Sequence, residues 1–203
     1  MKSRFRFFLC FFCFSLFACS SNTFHVPGES RIILKNIATE YYTIAEGYMD
    51  LKKYDKAAEY YKLAMRNEDL YMTAYYKLAR SYALAKDWEK ANETYTVLLK
   101  HDKDNKMLKM SLAYITAMRG DTEKALVQYH DLLSESPYDA NILESYVALL
   151  IYAKKSAEAE EYFFILKEKF PDNKQIASFA QQLSELVESF DPEKKTKTVS
   201  DSN

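Results

Sequence analysis

Apolar and polar positions along the chain repeat themselves every 34 residues. Divided as 38–71, 72–105, 106–139 and 140–173, the sequence forms four segments with no insertion between them. One column of that register reads Ala57, Ala91, Ala125, Ala159, and four residues on another reads Tyr61, Tyr95, Tyr129, Phe163. Ile44, Leu78, Leu112 and Tyr146 make a third column, and Ala45, Ala79, Ala113 and Val147 a fourth. A fixed period of this size marks a stack of supersecondary units. With only three glycines and four prolines, and no alternating strand pattern, nearly all of the chain is predicted to be helical. Each segment should hold two helices separated by a tight turn, at Lys52-Lys53, Lys86-Asp87, Gly120-Asp121 and Lys154-Lys155. Gly120 suits the left-handed backbone a helix C-terminus often needs, and a Lys in its place costs a little. Pro137 and Pro171 should close the second helices of the last two segments, since proline's missing N–H does no harm there. Asp69 and Lys103 occupy those places in the first two segments, so softer ends are expected.

The apolar spacing starts at Ile32, ahead of the first segment, so the first helix should begin early. Beyond the fourth segment, Ile176, Phe179, Ala180, Leu183, Leu186 and Val187 keep a three-and-four spacing, which predicts one amphipathic helix over 174–190. Its expected role is a cap over the open end of the last unit; a partner-binding helix is the rival reading. After Asp191-Pro192, residues 191–203 are Lys, Thr, Ser and Asp in the main, and disorder is expected.

These columns resemble the tetratricopeptide repeat. The second segment carries the pattern through Tyr75, Leu78, Ala79, Tyr82, Trp88, Ala91 and Tyr95, and the first through Tyr41, Ile44, Ala45, Tyr48, Tyr54, Ala57, Tyr61 and Ala64. The third drifts at Lys109, Thr116 and Thr122 but keeps Leu112, Ala113, Ala125, Tyr129 and Pro137; the fourth keeps Ala159, Phe163 and Pro171. The resemblance covers residues 38–173, two-thirds of the chain. It implies an all-α fold, a right-handed superhelical solenoid of four helix-turn-helix units with 174–190 as a capping helix. The columns also make sense without it: alanines let paired helices come close, and large aromatics fill the gaps between units.

The N-terminus adds an address. Lys2, Arg4 and Arg6 precede a run from Phe7 to Ala18 that is apolar apart from Ser15, and these are the parts of an export signal. The run is too short for a comfortable membrane span. Its exit, Leu16-Phe17-Ala18-Cys19, resembles the lipobox of bacterial lipoproteins, although Phe17 stands where a small residue is preferred. The expected layout is a signal peptide over 1–18, Cys19 lipidated as the membrane attachment, and a polar tether over 19–30. An uncleaved anchor and plain secretion are the alternatives. Cys10, Cys13 and Cys19 are the whole cysteine complement, so a chain cut before Cys19 has no disulfide. Losing Lys2, Arg4 and Arg6 from 28 basic residues leaves 25 against 29 acidic ones, a net charge of −4. That favours solubility and argues against nucleic acid as a partner. Ser20 is not acidic, and by analogy with enteric lipoproteins the periplasmic leaflet of the outer membrane is expected.

Candidate chemistry is sparse. His25, His101 and His130 are far apart, there is no His-Glu-x-x-His and no glycine-rich phosphate loop, and acid pairs such as Glu160-Glu161 point apart on a helix. No catalytic residue, metal site or cofactor is expected. The surface that could act is the inner wall, which the resemblance assigns to the first helix of each unit. Its candidates are Tyr42, Glu46, Met49 and Asp50, then Tyr76, Arg80, Ala83 and Leu84, then Met110, Tyr114 and Met118, then Glu144, Ala148 and Tyr152. Tyr offers contact area at low entropic cost and Met adapts its shape, so Tyr42, Met49, Tyr76, Arg80, Leu84, Met110, Tyr114, Met118 and Tyr152 suggest a groove for an apolar helix or extended peptide. The alternative is that they pack on one another, or against the 174–190 helix folded into the groove. Family members that clamp a C-terminal carboxylate need Lys or Asn where Tyr42, Glu46 and Tyr76 stand, so that mode is not expected. The resulting expectation is a lipid-anchored adaptor of a bacterial envelope, holding an envelope protein or peptide, with self-association open. Alternatives are a ligand-handling subunit beside a periplasmic transport protein, an outer-membrane assembly lipoprotein, and a scaffold linked to peptidoglycan or division.

Overall fold

A computed structural model describes residues 28–190. The expected signal peptide, Cys19, most of the tether and the tail over 191–203 lie outside the described residues. Nine helices fill the described span: α1 Glu29–Asp50, α2 Tyr54–Ala64, α3 Tyr71–Leu84, α4 Trp88–His101, α5 Lys106–Met118, α6 Thr122–Glu135, α7 Ala140–Tyr152, α8 Ser156–Lys169 and α9 Ile176–Phe190. Each packs against the next in sequence, α5 also touches α7, and α9 rests on both α7 and α8. That is a stack of four antiparallel pairs with a ninth helix closing one end.

The turns fall where the sequence puts them. All four odd-numbered helices from α1 to α7 end in the same motif. The Lys53 N–H donates to the Tyr48 carbonyl at 2.9 Å, Asp87 to Tyr82 at 2.9 Å, Asp121 to Thr116 at 3.1 Å and Lys155 to Leu150 at 3.0 Å. The residue before each donor is left-handed: Lys52 at φ 56°, Lys86 at 61°, Gly120 at 94° and Lys154 at 58°. A non-glycine residue there costs about 1–2 kcal/mol. Lys86→Gly is therefore expected to stabilise the chain by about 0.5–1 kcal/mol, after allowing for glycine's larger entropy loss, measured as a higher urea midpoint with unchanged slope.

The second helices stop for different reasons. α6 and α8 end two residues before Pro137 and Pro171. In the second unit α4 reaches His101, the equivalent position, without a proline. The first unit departs from the pattern: α2 ends at Ala64, a turn early. There Asn67 is buried, its amide donating to Thr39 Oγ1 at 3.2 Å and its Oδ1 accepting the Asp69 N–H at 3.1 Å. A buried amide so partnered replaces the missing last turn of helix.

The alanine columns sit at the centre of this packing. Ala45, Ala57, Ala79, Ala91, Ala113, Ala125 and Ala159 have no exposed surface. The core has two parts. One runs from Ala45 through Tyr61, Tyr82, Tyr95 and Ile115; the other runs from Ala113 through Tyr129, Leu143, Tyr146 and Leu166 to Phe179 and Leu183 of α9. Through those last two residues α9 covers the end of the fourth unit, as a cap should.

Candidate partner-binding wall

Register decides what the first helix of each unit presents. Positions 42, 76, 110 and 144 share one column, 46, 80, 114 and 148 the next, and 50, 84, 118 and 152 the third. These columns lie progressively farther from the core.

Residues of the first column are half-buried and tied to neighbours. Tyr42 packs edge-on to Tyr61, ring centres 5.5 Å apart, and Tyr76 edge-on to Tyr95 at 6.1 Å. The Tyr76 hydroxyl reaches Met107 Sδ at 3.0 Å, joining the second unit to the third. Met110 packs against the third and fourth units, and Glu144 accepts from the Asn173 amide. Met49, also half-buried, takes the Ser81 hydroxyl on its sulfur at 3.2 Å. Four of the nine groove candidates, Tyr42, Met49, Tyr76 and Met110, thus serve packing as well as lining the wall.

In the second column Glu46 carries a small polar network. It accepts from the Tyr61 hydroxyl and, at 2.9 Å, from Lys77 Nζ of the next unit. Burial alone would raise the Glu46 pKa, but the Tyr61 hydroxyl and the Lys77 ammonium outweigh it and hold the group below the usual carboxylate range. A carboxyl with a depressed folded-state pKa gives stability that is complete above its unfolded value, about 4.3, and is lost as pH falls through the folded one. Glu46→Gln is expected to flatten the loss of stability below about pH 4.3 and to leave the rest of the profile unchanged, read from urea midpoints across pH. Farther along, Arg80 is exposed, and Tyr114 is exposed with one edge on Trp88, ring centres 6.1 Å apart.

The third column is open. Leu84, Met118 and Tyr152 are 40%, 43% and 73% exposed, one apolar side chain per unit at the same height. Asp50 begins the column and is exposed as well. α9 does not cover this row; it lies at the end of the stack. Beside the row, Ala83, Met107, Met110 and Tyr114 line a shallow pocket of about 250 Å³ floored by Tyr95 and Tyr129. Met107, 59% exposed, was not among the sequence candidates. Its three-and-four spacing from Met110, Tyr114 and Met118 was the available signal.

Burial pushes the Tyr95 and Tyr129 hydroxyls up to about 12, so both stay protonated as packing groups. Among the described residues no cluster of His, Cys, Asp or Glu could hold a metal ion. No described helix is long and apolar enough to cross a membrane.

Comparison with known proteins agrees with the geometry. The tetratricopeptide repeat profile matches residues 73–105. A tetratricopeptide repeat protein from Parabacteroides merdae is similar at 23% identity and a TM-score of 0.61; the match covers 75% of this chain and 60% of that one, so the chain spans less than two-thirds of its length. MamA from Desulfovibrio magneticus superposes with a TM-score of 0.57 at 16% identity, over 76% of this chain and 97% of that one. YrrB, described as a repeat protein of this type with an unusual peptide-binding site, gives 0.51 at 15% identity, over 73% and 86%. No curated protein sequence matches significantly. Residues 73–105 thus match the tetratricopeptide repeat, and the chain around them has the fold of the tetratricopeptide-repeat solenoids.

Proposed function

We propose that the chain is a protein-interaction scaffold that holds an extended apolar peptide segment of a partner across the row Leu84, Met118 and Tyr152. The observation that carries this reading is the row itself: three large apolar side chains, one per unit, exposed in the same register and left open by the chain's own ninth helix. The row's side chains stand on α3, α5 and α7, of which α5 and α7 touch, and helices in contact lie about 8–10 Å apart. An extended peptide in the polyproline-II conformation rises about 3.1 Å per residue and returns to the same face every third residue, so every third side chain of a peptide crossing the helices meets the next rung. The segment that fits is therefore about seven residues long, with apolar side chains at every third position. Tyr114 and Met107 add a pocket beside the row for a fourth anchor. The likeness to YrrB, a protein described as having a peptide-binding site, supports the same class of partner.

The N-terminal sequence supports a place for this activity. Lipidation at Cys19 would tether the scaffold in a bacterial envelope, with the outer membrane's periplasmic leaflet favoured by Ser20. The partner is then an envelope protein. Native mass spectrometry of the chain released from its own membranes tests this against the ligand-handling reading. The scaffold reading expects the lipidated chain with or without a bound polypeptide. A small hydrophobic solute retained in stoichiometric amount would overturn it.

A further inference from the structure

Among the described residues nothing covers the end of the stack opposite α9. Leu78 and Tyr146 are each 4% exposed because the preceding unit covers them, whereas Ile44 in the same column is 41% exposed with no unit before it. Ile44 belongs to a longer seam. Ile33, Ile37, Glu40, Ile44 and Gly47 of α1 and Leu51 at its C-terminal cap follow one another at spacings of four and three, and all six are exposed. Such spacing keeps a row of side chains on one side of a helix over its full length and is the spacing by which helices pack on helices. Two turns of α1, from Glu29 to Ile37, also run past the start of the first repeat, where α2 does not reach. Among the described residues the Lys35–Asp69 ion pair ties this stretch to the rest of the first unit.

Gly47 is the second observation. It sits inside a helix, where glycine is disfavoured relative to alanine. A Cβ added there would meet nothing within 4 Å, so no contact among the described residues calls for its small size. Close approach of another helix would.

We propose that this end pairs with the same end of a second copy, two α1 helices running antiparallel about a twofold axis near Tyr42. The opposite end is more polar: α9 turns Gln181, Gln182, Ser184 and Glu185 outward around the exposed Val187. An isologous pairing uses the same patch on both copies and needs only that this seam fit itself. In that register Ile33 meets Leu51, Ile37 meets Gly47 and Glu40 meets Ile44, so on each side of the axis a large Ile37 lies over the small Gly47 of the other copy. Opposed helix dipoles favour the antiparallel sense. A 22-residue helix is about 33 Å long and 10 Å wide, a strip of about 330 Å² in projection. That is below the roughly 800 Å² per partner of a standard stable interface, and Glu40 lies in its middle. The dimer is therefore weak and reversible, and it forms whatever the inner wall holds.

Light scattering on the full-length chain in mild detergent, over a concentration series, tests this. The expected result is a protein mass rising from one chain to two with concentration. Gly47→Leu should weaken association roughly tenfold or more while helicity and the urea midpoint hold or rise, since it fills open space in the monomer. Ile44→Glu should do the same, and Tyr152→Ala on the inner wall should leave the dimer intact. One-chain mass at every concentration attainable would overturn the proposal, even if that monomer floats with anionic vesicles. So would a dimer that survives both Gly47→Leu and Ile44→Glu.

Discussion

Replacing Tyr61 by Ala is expected to cost about 3–5 kcal/mol, the range for removing a large buried aromatic side chain. Tyr61 has no exposed surface, its ring meets Tyr42 edge-on, and its hydroxyl donates to Glu46. Few single changes in the first two units remove as much. Domains of this size are stable by only about 5–15 kcal/mol, so a loss on this scale unfolds part of the chain under mild conditions. Which part follows from the architecture: in a stack each unit touches only its neighbours. Hydrogen exchange should therefore accelerate in α1 to α4 and stay slow in α6 to α8. Tyr61→Phe separates the two contributions. It keeps the packing and removes one donor from a carboxylate that Lys77 still pairs and water partly reaches, so about 1 kcal/mol is expected. A uniform acceleration of exchange in the alanine variant would mean that the solenoid unfolds as one cooperative block.

Met118→Ala combined with Tyr152→Ala is expected to leave the fold intact and to weaken the partner about 100- to 1,000-fold. Both side chains are exposed, at 43% and 73%, and neither belongs to the core, so the stability change should stay within about 0.5 kcal/mol each. Apolar anchors of this kind contribute 2 kcal/mol or more to binding when the partner desolvates them, and each 1.4 kcal/mol is tenfold in affinity. Val127→Ala is the control, an equally apolar residue 61% exposed on α6 in the second-helix layer. It should change nothing. Tyr76→Ala with Met110→Ala is the less informative pair, because both side chains also join neighbouring units.

The repeat period carried most of the fold on its own. Alanines at 57, 91, 125 and 159 required a close partner helix, and each is fully buried. The turn positions were legible for the same reason: one backbone motif recurs, and lysine accepts the left-handed conformation where only the third unit has glycine. What the sequence could not resolve depends on neighbours. Tyr76 and Leu84 are both apolar residues on the wall side of α3, yet one is held by Tyr95 and Met107 of adjoining helices and the other is open. Helical spacing gives direction, not what arrives from the next unit. The early end of α2 was hidden likewise, since it depends on Asn67 finding Thr39, 28 residues away. Met107 shows the opposite failure: its spacing was visible, but column-by-column comparison passed over it because Thr39, Thr73 and Asn141 share its column.

Photo-crosslinking from the inner wall tests the central claim most directly. A benzoylphenylalanine placed at Tyr152 or at Met118 in the full-length chain, expressed in its own cells, should capture the same polypeptide from both positions. The same group at Val127 should capture none of it. The captured segment, mapped by mass spectrometry, should carry apolar residues three apart. Capture of that polypeptide from Val127 with equal or greater yield, or no shared product from the two wall positions, would contradict the account.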